Sequence, residues 1–360
     1  MQEGHARGAA RDGEPRAGRV TNARGTAYAN PLRHLRAPAR PRPTTDHDSM
    51  RTLTTAGLLA LTLAPALRAG GFDASRVPAD AVAVAHVDLE ALVRSQLWAE
   101  IQRMNPELSL DLDLGEQHPA LAGIQPLRQV RSVTVFTSNV SKERFAALLH
   151  VDARLEGALQ VAMGLEQYEA LEVDGRAIHS WSEDGDERVF AYVHPAGADR
   201  LILVSNDTQL LGKGLAVLTS GGASLSSSPH AIMRAVAQPG TIVYGASAEP
   251  LSKLGDVDAS SSVAQLVQGA VMQLGETGGA VFGSLALLTE KPEDALRLSQ
   301  VLQGLTALAS LAAENAEQAQ MLQHLVSSLN FQATGSQLFV EFRYDLAALI
   351  QLIQQLEETH

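Results

Sequence analysis

One imidazole and two carboxylates recur at alternate positions near the start of the predicted folded region: His86, Asp88 and Glu90. Alternate residues of an extended strand point to the same side, so these groups could share one face and bind a divalent cation. The competing interpretation is structural, because an acidic residue in the first turn of a helix stabilises its N-terminus. The sequence favours this second role for Asp88 or Glu90.

Further histidines lie on predicted strands. His150 is followed two residues later by Asp152, and His179 and His194 fall on strands that could face each other. Either pair could supply metal ligands, but the pairing register decides whether such side chains meet, and the sequence does not fix it. A half-exposed histidine with a structural role is the competing interpretation.

Two acidic turns could attract calcium in an exported protein. One surrounds Gly185 with Glu183, Asp184, Asp186 and Glu187, and the other runs over 111–116. The second lacks the spacing and the alternating oxygen ligands of an EF-hand loop, and solvated turn acids are the ordinary interpretation of both. The metal-ligand candidates from the sequence are therefore His86, Asp88, His179, His194, Asp184 and Asp186.

Compact catalytic and cofactor motifs do not occur. The segment 245–249 lacks the second glycine of a G-x-S-x-G nucleophile elbow, and no S-x-x-K, H-E-x-x-H, P-loop or G-x-G-x-x-G pattern is found. The chain has no cysteine, which excludes a disulfide scaffold, a thiolate zinc site, an iron–sulfur cluster and a lipid-modified N-terminal cysteine. We therefore assign no catalytic residue and no cofactor, while an enzyme with dispersed catalytic residues stays open.

Composition bounds the class of protein. The 360 residues are 45% hydrophobic, which suffices for one large or two ordinary domains with cores. A formal net charge of −12 with only 4% aromatic residues argues against a nucleic-acid partner, because such binders use a basic face and stacking rings.

The first 69 residues are unlike the rest of the chain. Residues 1–49 carry nine arginines and five acids with little apolar periodicity, so we expect a disordered segment or untranslated upstream sequence, with Met50 as the initiator. In residues 50–69, Arg51 precedes a short apolar run and small residues that suit cleavage after Ala66 or Ala69. This pattern predicts a secretory signal peptide, with a core helix over 53–66 as the alternative. We expect export to the periplasm or the medium, with no stable membrane anchor after cleavage.

The remaining chain predicts an α+β fold: antiparallel sheets with helices packed on one face. We divide it into a first half (70–219), a Gly/Ser-rich linker (220–229) and a second half (230–360). Each half opens with a proline turn and an apolar strand and closes with strand, turn, strand and helix, so we expect two topologically similar halves and an internal repeat. Among the helices, we predict 262–274, 293–324 and two that begin after Asp207 and Asp345.

The residues from Pro78 to Asp88, directly after the predicted signal peptide, resemble the start of uncharacterised exported bacterial proteins of the domain-of-unknown-function type with a "PADA…VDL" first strand. This resemblance covers roughly the first 35 mature residues and implies no catalytic residue. We expect an exported cell-envelope protein that acts as a non-catalytic binding or assembly module, with another envelope protein as a candidate partner. The alternatives are a periplasmic carrier of an apolar ligand and an envelope hydrolase with dispersed carboxylate and histidine residues.

Overall fold

The computed structural model describes nine stretches of the chain, all within one compact unit that spans His47–His360. They are residues 71–105, 126–140, 144–155, 163–164, 167–173, 175–182, 188–254, 262–311 and 323–358. The predicted extension 1–49, the predicted signal peptide 50–69, and the acidic turns at 111–116 and 183–187, with Asp184 and Asp186, lie outside the described residues.

The described strands form one antiparallel sheet of twelve strands. Its order from edge to edge is β11-β12-β10-β9-β8-β1-β2-β3-β7-β6-β5-β4. The strands are β1 (Ala83–Asp88), β2 (Val130–Thr137), β3 (Ala146–Asp152), β4 (Glu169–Val173), β5 (Arg176–Ser182), β6 (Arg188–Ala196), β7 (Asp199–Ser205), β8 (Thr241–Ser247), β9 (Val267–Thr277), β10 (Ala280–Thr289), β11 (Leu329–Thr334) and β12 (Gln337–Asp345).

The two halves of the chain share a topology and one sheet. β1 and β8 pair at the centre, with His86 opposite Tyr244. Outward from this pair, the first half runs β1, β2, β3 and the second half runs β8, β9, β10. Each half then adds its last hairpin with the later strand inside, so β7 lies beside β3 and β12 lies beside β10. The first half adds β5 and β4 at its outer edge. The sheet therefore continues across the predicted linker at 220–229.

Helices follow the strands where the sequence places capping residues. Asp88, Asp207 and Asp345 each accept a hydrogen bond from a backbone N–H three residues later, at 2.8, 2.8 and 2.9 Å. Within the described part of the chain, no helix is both long and apolar enough to cross a membrane. The helices are α1 (Leu89–Val93), α2 (Gln96–Met104), α3 (Pro126–Gln129), α4 (Thr208–Ser220), α5 (Ser262–Leu266), α6 (Pro292–Leu311) and α7 (Leu346–Glu358), with a further helical turn at 323–327.

Most of the packed helices lie on one face of the sheet, here called the helical face. Helices α2 and α7 contact β10 and β12 through Leu97 and Leu346, and α6 covers the same strands through Leu298. On the opposite face, α4 and the turns around Leu225 and Met233 cover the largest apolar cluster. These contacts bury apolar side chains between the helices and the sheet, and the expected antiparallel α+β fold is confirmed.

One predicted helix is wrong. The chain over 262–274 forms only the short α5 and then enters β9, which buries alternate residues, among them Val267 and Val271. Other elements cover both faces of β9, so both faces carry apolar residues. The spacing of apolar residues in this segment therefore fits a helix as well as a strand. Gly269 marks a strand, since a side chain there would lie 2.8 Å from the carbonyl oxygen of Ser247 on β8.

The other predicted helices agree in position with differences at their ends. α4 begins after Asp207, α7 begins after Asp345, and α6 begins at Pro292 as expected. The predicted continuation of α6 over 312–322 lies outside the described residues. Residues 323–327 are helical, and β11 begins at Leu329.

Candidate functional site

A cleft of about 830 Å³ lies at the end of β1, between the segment 71–77, helix α1 and the turn that joins β9 to β10. The face of the sheet opposite the helical face is here called the cleft face. The floor of the cleft is formed by β2, β3 and β7 on this cleft face. Apolar lining is limited to a few side chains, including Val77, Leu148 and Leu201. The polar and charged lining residues are Asp73, Arg76, Asp88, Glu90, Arg94, Gln96, Arg131, Ser132, Thr134, His150, Glu276 and Thr277.

Strand alternation places His86 and Asp88 on the cleft face, as the sequence predicts. Asp88 is 8% exposed and caps α1, its Oδ1 accepting a hydrogen bond from the Ala91 N–H. Glu90 lies in the first turn of α1. The structural interpretation of the two carboxylates as helix N-terminal acids is therefore confirmed.

His86 is 2% exposed and lies behind the wall of the cleft. Its Nδ1 is 2.8 Å from Thr134 Oγ1, and its ring packs beside Phe72, with 5.7 Å between ring centroids. Nε2 is buried without a hydrogen-bond partner among the described residues. A side chain at Gly71 would lie 2.4 Å from this Nε2 atom, so the backbone of residue 71 closes over the ring. Burial lowers the pKa of His86 to about 4, and the ring is neutral at pH 7.

A chain of alternating charges forms the opposite wall. Arg131, the extra residue of a bulge in β2, donates to Glu90 Oε2 and to Asp199 Oδ1, each at 3.0 Å. Arg94 pairs with the other oxygen of Glu90, and His150 Nε2 lies 3.1 Å from Asp199 Oδ2. The hydrogen bonds to Glu90 and then Asp199 raise the pKa of Arg131. The network ties α1 to β2, β3 and β7, and it neutralises the arginines on this wall.

Glu276 is the penultimate residue of β9 and contacts α2. Its carboxylate accepts the Leu97 N–H in the first turn of that helix, where Ser95 also accepts the Trp98 N–H. Its Oε2 is buried without a hydrogen-bond partner among the described residues. Burial raises the pKa of Glu276, because the charged form loses hydration. This side chain fixes α2 against the β9–β10 hairpin at the rim of the cleft.

The structure does not bring His179 and His194 together. His179 pairs with Ala191, and His194 pairs with Leu201, so strand alternation puts the two rings on opposite faces. His179 Nδ1 instead lies 2.9 Å from the Tyr168 hydroxyl. The expected convergence of these imidazoles is wrong because β6 meets β5 in a register that separates them.

The pair of His150 and Asp152 also has other partners. Asp152 binds the Arg154 guanidinium, whose hydrogen bonds lower the pKa of the carboxyl to about 2, while His150 binds Asp199. Among the side chains that the structure describes, no group of three or more His, Cys, Asp or Glu residues has the geometry of a metal site.

Sequence reasoning missed the residues that organise the cleft: Arg131, Asp199 and Glu276. They come from β2, β7 and β9 and lie far apart in the chain, so their contacts depend on strand order and register. One usable signal was present. Arg131 interrupts an otherwise apolar and hydroxyl-bearing strand, and a charged residue inside a predicted strand of this kind indicates an ionic partner.

Comparisons with known proteins give little similarity. No protein-family model matches the sequence, and no curated protein matches it. Among solved structures, crystal form I of TP0453 is 11% identical with a TM-score of 0.38, over 80% of this chain and 98% of that one. Forms III and IV are 12% and 10% identical with TM-scores of 0.39 and 0.41, over 80% and 82% of this chain and 100% and 98% of theirs. We therefore describe the fold of this protein from its own strand pairing alone.

Proposed function

We propose that this chain is an exported protein of the cell envelope that acts by binding, without catalysis, and that it holds a small polar ligand in the cleft at the end of β1. The observation that carries the proposal is the lining of that cleft. About 830 Å³ is within the range of small-molecule sites, and charged, hydroxyl and imidazole groups line it from β1, β2, β3 and β9 and from the segments 71–77 and 89–96.

Rigid walls support binding. Arg131 is held by two carboxylates, Asp88 is fixed as a helix cap, and His86 is closed in by Gly71 and Phe72. Side chains that are already oriented lose little conformational entropy when a ligand arrives. The polar lining also favours a polar ligand over the apolar one that a lipid-type carrier would hold.

Export is supported by the sequence pattern of residues 50–69: one arginine, an apolar run too short for a bilayer, and small residues near position 69. An acidic, cysteine-free chain suits a soluble state in an oxidising compartment, since it cannot form unwanted disulfides.

A hydrolase in the same cleft is the competing function. Asp199 and His150 form the carboxylate–imidazole part of a nucleophile-activating arrangement, and Ser132 is the cross-strand neighbour of His150. In the structure, however, His150 makes no hydrogen bond to Ser132, and its partner Asp199 is shared with Arg131. Nucleophilic catalysis needs a base bonded to the hydroxyl, so the geometry favours binding.

The test is a thermal-denaturation screen of the purified protein against a defined panel of polar compounds: sugars, amino acids, diamines, carboxylates and phosphate. We expect at least one compound to raise the Tm of the wild type, because a ligand of the folded state stabilises it. Ser132→Trp, which fills the floor of the cleft, should lose that shift, and Glu341→Trp, at an exposed position of β12, should keep it. No shift with any compound, or the same shift in Ser132→Trp, overturns the proposal. Turnover of the bound compound that Ser132→Ala abolishes would favour the hydrolase.

A further inference from the structure

The strand β11 is an outer edge of the sheet that the described strands form. Among the described strands it pairs only with β12, over all six of its residues. The free side of an edge strand presents backbone N–H and C=O groups that can template another strand. Proteins usually guard such edges with charge, proline or short length, but β11 (Leu-Asn-Phe-Gln-Ala-Thr) has no charged residue and no proline.

The opposite edge differs. β4 has five residues and carries Glu169 and Glu172, and Glu169 pairs with Arg188 at 2.7 Å. A second strand of the same sequence laid along β4 would bring like charges together, which is destabilising. The β4 edge therefore carries charges that oppose pairing with a second copy of the same strand, and the β11 edge carries none.

Helix α6, which packs on β11, leaves an apolar flank exposed. Leu298 and Leu302 face the sheet, whereas Val301, Leu305 and Leu308 are 38%, 54% and 62% exposed. Spacing at i, i+4 and i+7 puts these three on one stripe, about a quarter turn from the residues that face the sheet. α6 packs on β10, β11 and β12, so the stripe lies on the helix nearest this edge.

We infer that β11 and the exposed flank of α6 form a two-fold interface with a second copy of this chain, in which β11 pairs antiparallel with its symmetry mate. Both elements are self-complementary, as an isologous contact requires: the strand is neutral and the flank is apolar. A two-fold axis perpendicular to the sheet keeps both copies of α6 on the same face. Their leucines then pack across the axis and add apolar area to the strand pairing.

Side-chain alternation restricts the register. Leu329, Phe331 and Ala333 lie on the helical face, since they pair with Phe342, Val340 and Leu338. Residues directly opposed in an antiparallel pair share a face. The two-fold axis must therefore lie midway between one residue of β11 and the same residue of the second copy. Near the middle of the strand this places either Phe331 or Gln332 opposite its own copy.

Because the chain has no cysteine, single cysteines report this register without background. We expect either Phe331→Cys or Gln332→Cys to form a disulfide-linked dimer on mild oxidation, because Cβ atoms of directly opposed residues are close enough to bridge. Glu172→Cys on β4 is the matched control and should stay monomeric. No cross-link from either β11 variant overturns the inference.

Light scattering after size exclusion tests the interface without cross-linking. The wild type should have twice the chain mass, and Gln332→Lys should raise the dimer dissociation constant at least about tenfold, because it brings like charges close together at the axis. Ala170→Lys on β4 should leave the mass unchanged. A wild type that is monomeric at micromolar concentrations contradicts the proposal. If Leu305→Asp instead abolishes flotation of a monomeric wild type with phosphatidylglycerol vesicles, the flank is a lipid contact and the dimer is wrong.

Discussion

At the scale of single residues, His86 combines nearly complete burial with a ring nitrogen that lacks a partner. The pKa of His86 is about 4 in the folded protein and near 6.5 in the unfolded chain, so the unfolded state binds the extra proton first as pH falls. The contribution of this residue to stability is therefore complete above pH 6.5 and is lost progressively down to pH 4.

This pH dependence gives the first prediction. Between pH 7 and pH 5 the free energy of unfolding should fall by about 2 kcal/mol from this one residue. The measurement is urea unfolding at both values, for the wild type and for His86→Gln, which keeps a polar side chain of similar size. The decrease in the wild type should exceed that in the variant. Equal decreases would mean that His86 titrates normally.

Gly71 gives the second prediction, since its missing side chain leaves room for the His86 ring. Gly71→Ala places a methyl group 2.4 Å from Nε2 and 3.1 Å from Asp88 Oδ2, and should destabilise the fold by about 1–3 kcal/mol. Gly212→Ala is the matched control, because nothing lies within 4 Å of the added carbon at this exposed position of α4. That variant should stabilise by up to about 1 kcal/mol through helix propensity. Thermal denaturation compares the two, and equal effects contradict the packing described.

At the scale of elements, the ionic network around Arg131 fixes a short helix. α1 has five residues and cannot be stable alone, so its position depends on its Asp88 cap, on Leu89 and Ala91, and on the pairing of Glu90 with Arg131. The charged side chains are partly exposed, which limits their share of the global stability to about 1 kcal/mol or less per pair.

The third prediction separates local from global stability. In Arg131→Met, amide hydrogen exchange over 89–94 should become faster, while the urea midpoint changes little, because the aliphatic part of the side chain is kept. Arg188→Met on β6, which removes a similar ion pair with Glu169 on β4, should leave exchange in α1 unchanged. Unaltered exchange in the Arg131 variant would show that apolar contacts alone hold α1.

Elements also show what the sequence could predict. Caps at Asp88, Asp207 and Asp345 are local signals, because the carboxylate bonds a backbone group three residues away, and all three hold. The helix predicted over 262–274 fails because β9 has apolar contacts on both faces and therefore lacks the polar alternation that identifies strands. Helix caps can therefore be predicted from local sequence, whereas the packing of both faces of β9 cannot.

The candidate site was predictable only in part, for the same physical reason. His86 and Asp88 share a short strand, so their common face follows from strand geometry. Arg131 and Asp199 meet because β3 lies between β2 and β7, and no local pattern reveals that order. The failure of the His179 and His194 hypothesis has the same origin, since one register step reverses every side chain.

At the scale of the whole molecule, export gives the fourth prediction. If residues 50–69 are a signal peptide, the protein recovered from the periplasm or the medium should begin near Leu67 or Gly70, because a peptidase cleaves after small residues. N-terminal sequencing of the fractionated protein checks this. Leu58→Arg should retain the uncleaved chain in the cytoplasm by interrupting the apolar run, whereas Thr54→Ser should not. A cytoplasmic wild type that retains this segment contradicts export.

The continuous sheet makes the cleft a property of the whole fold, because its floor, rim and walls come from both halves. The most direct test of binding is native mass spectrometry of the intact wild type recovered from the cell envelope without denaturation. We predict an added mass that acid denaturation releases as a small polar compound, that returns on mixing, and that Ser132→Trp lacks while Glu341→Trp retains. A wild type that carries no added mass and regains none from the polar extract of the same envelope fraction, or an adduct equally present in Ser132→Trp, would contradict the account.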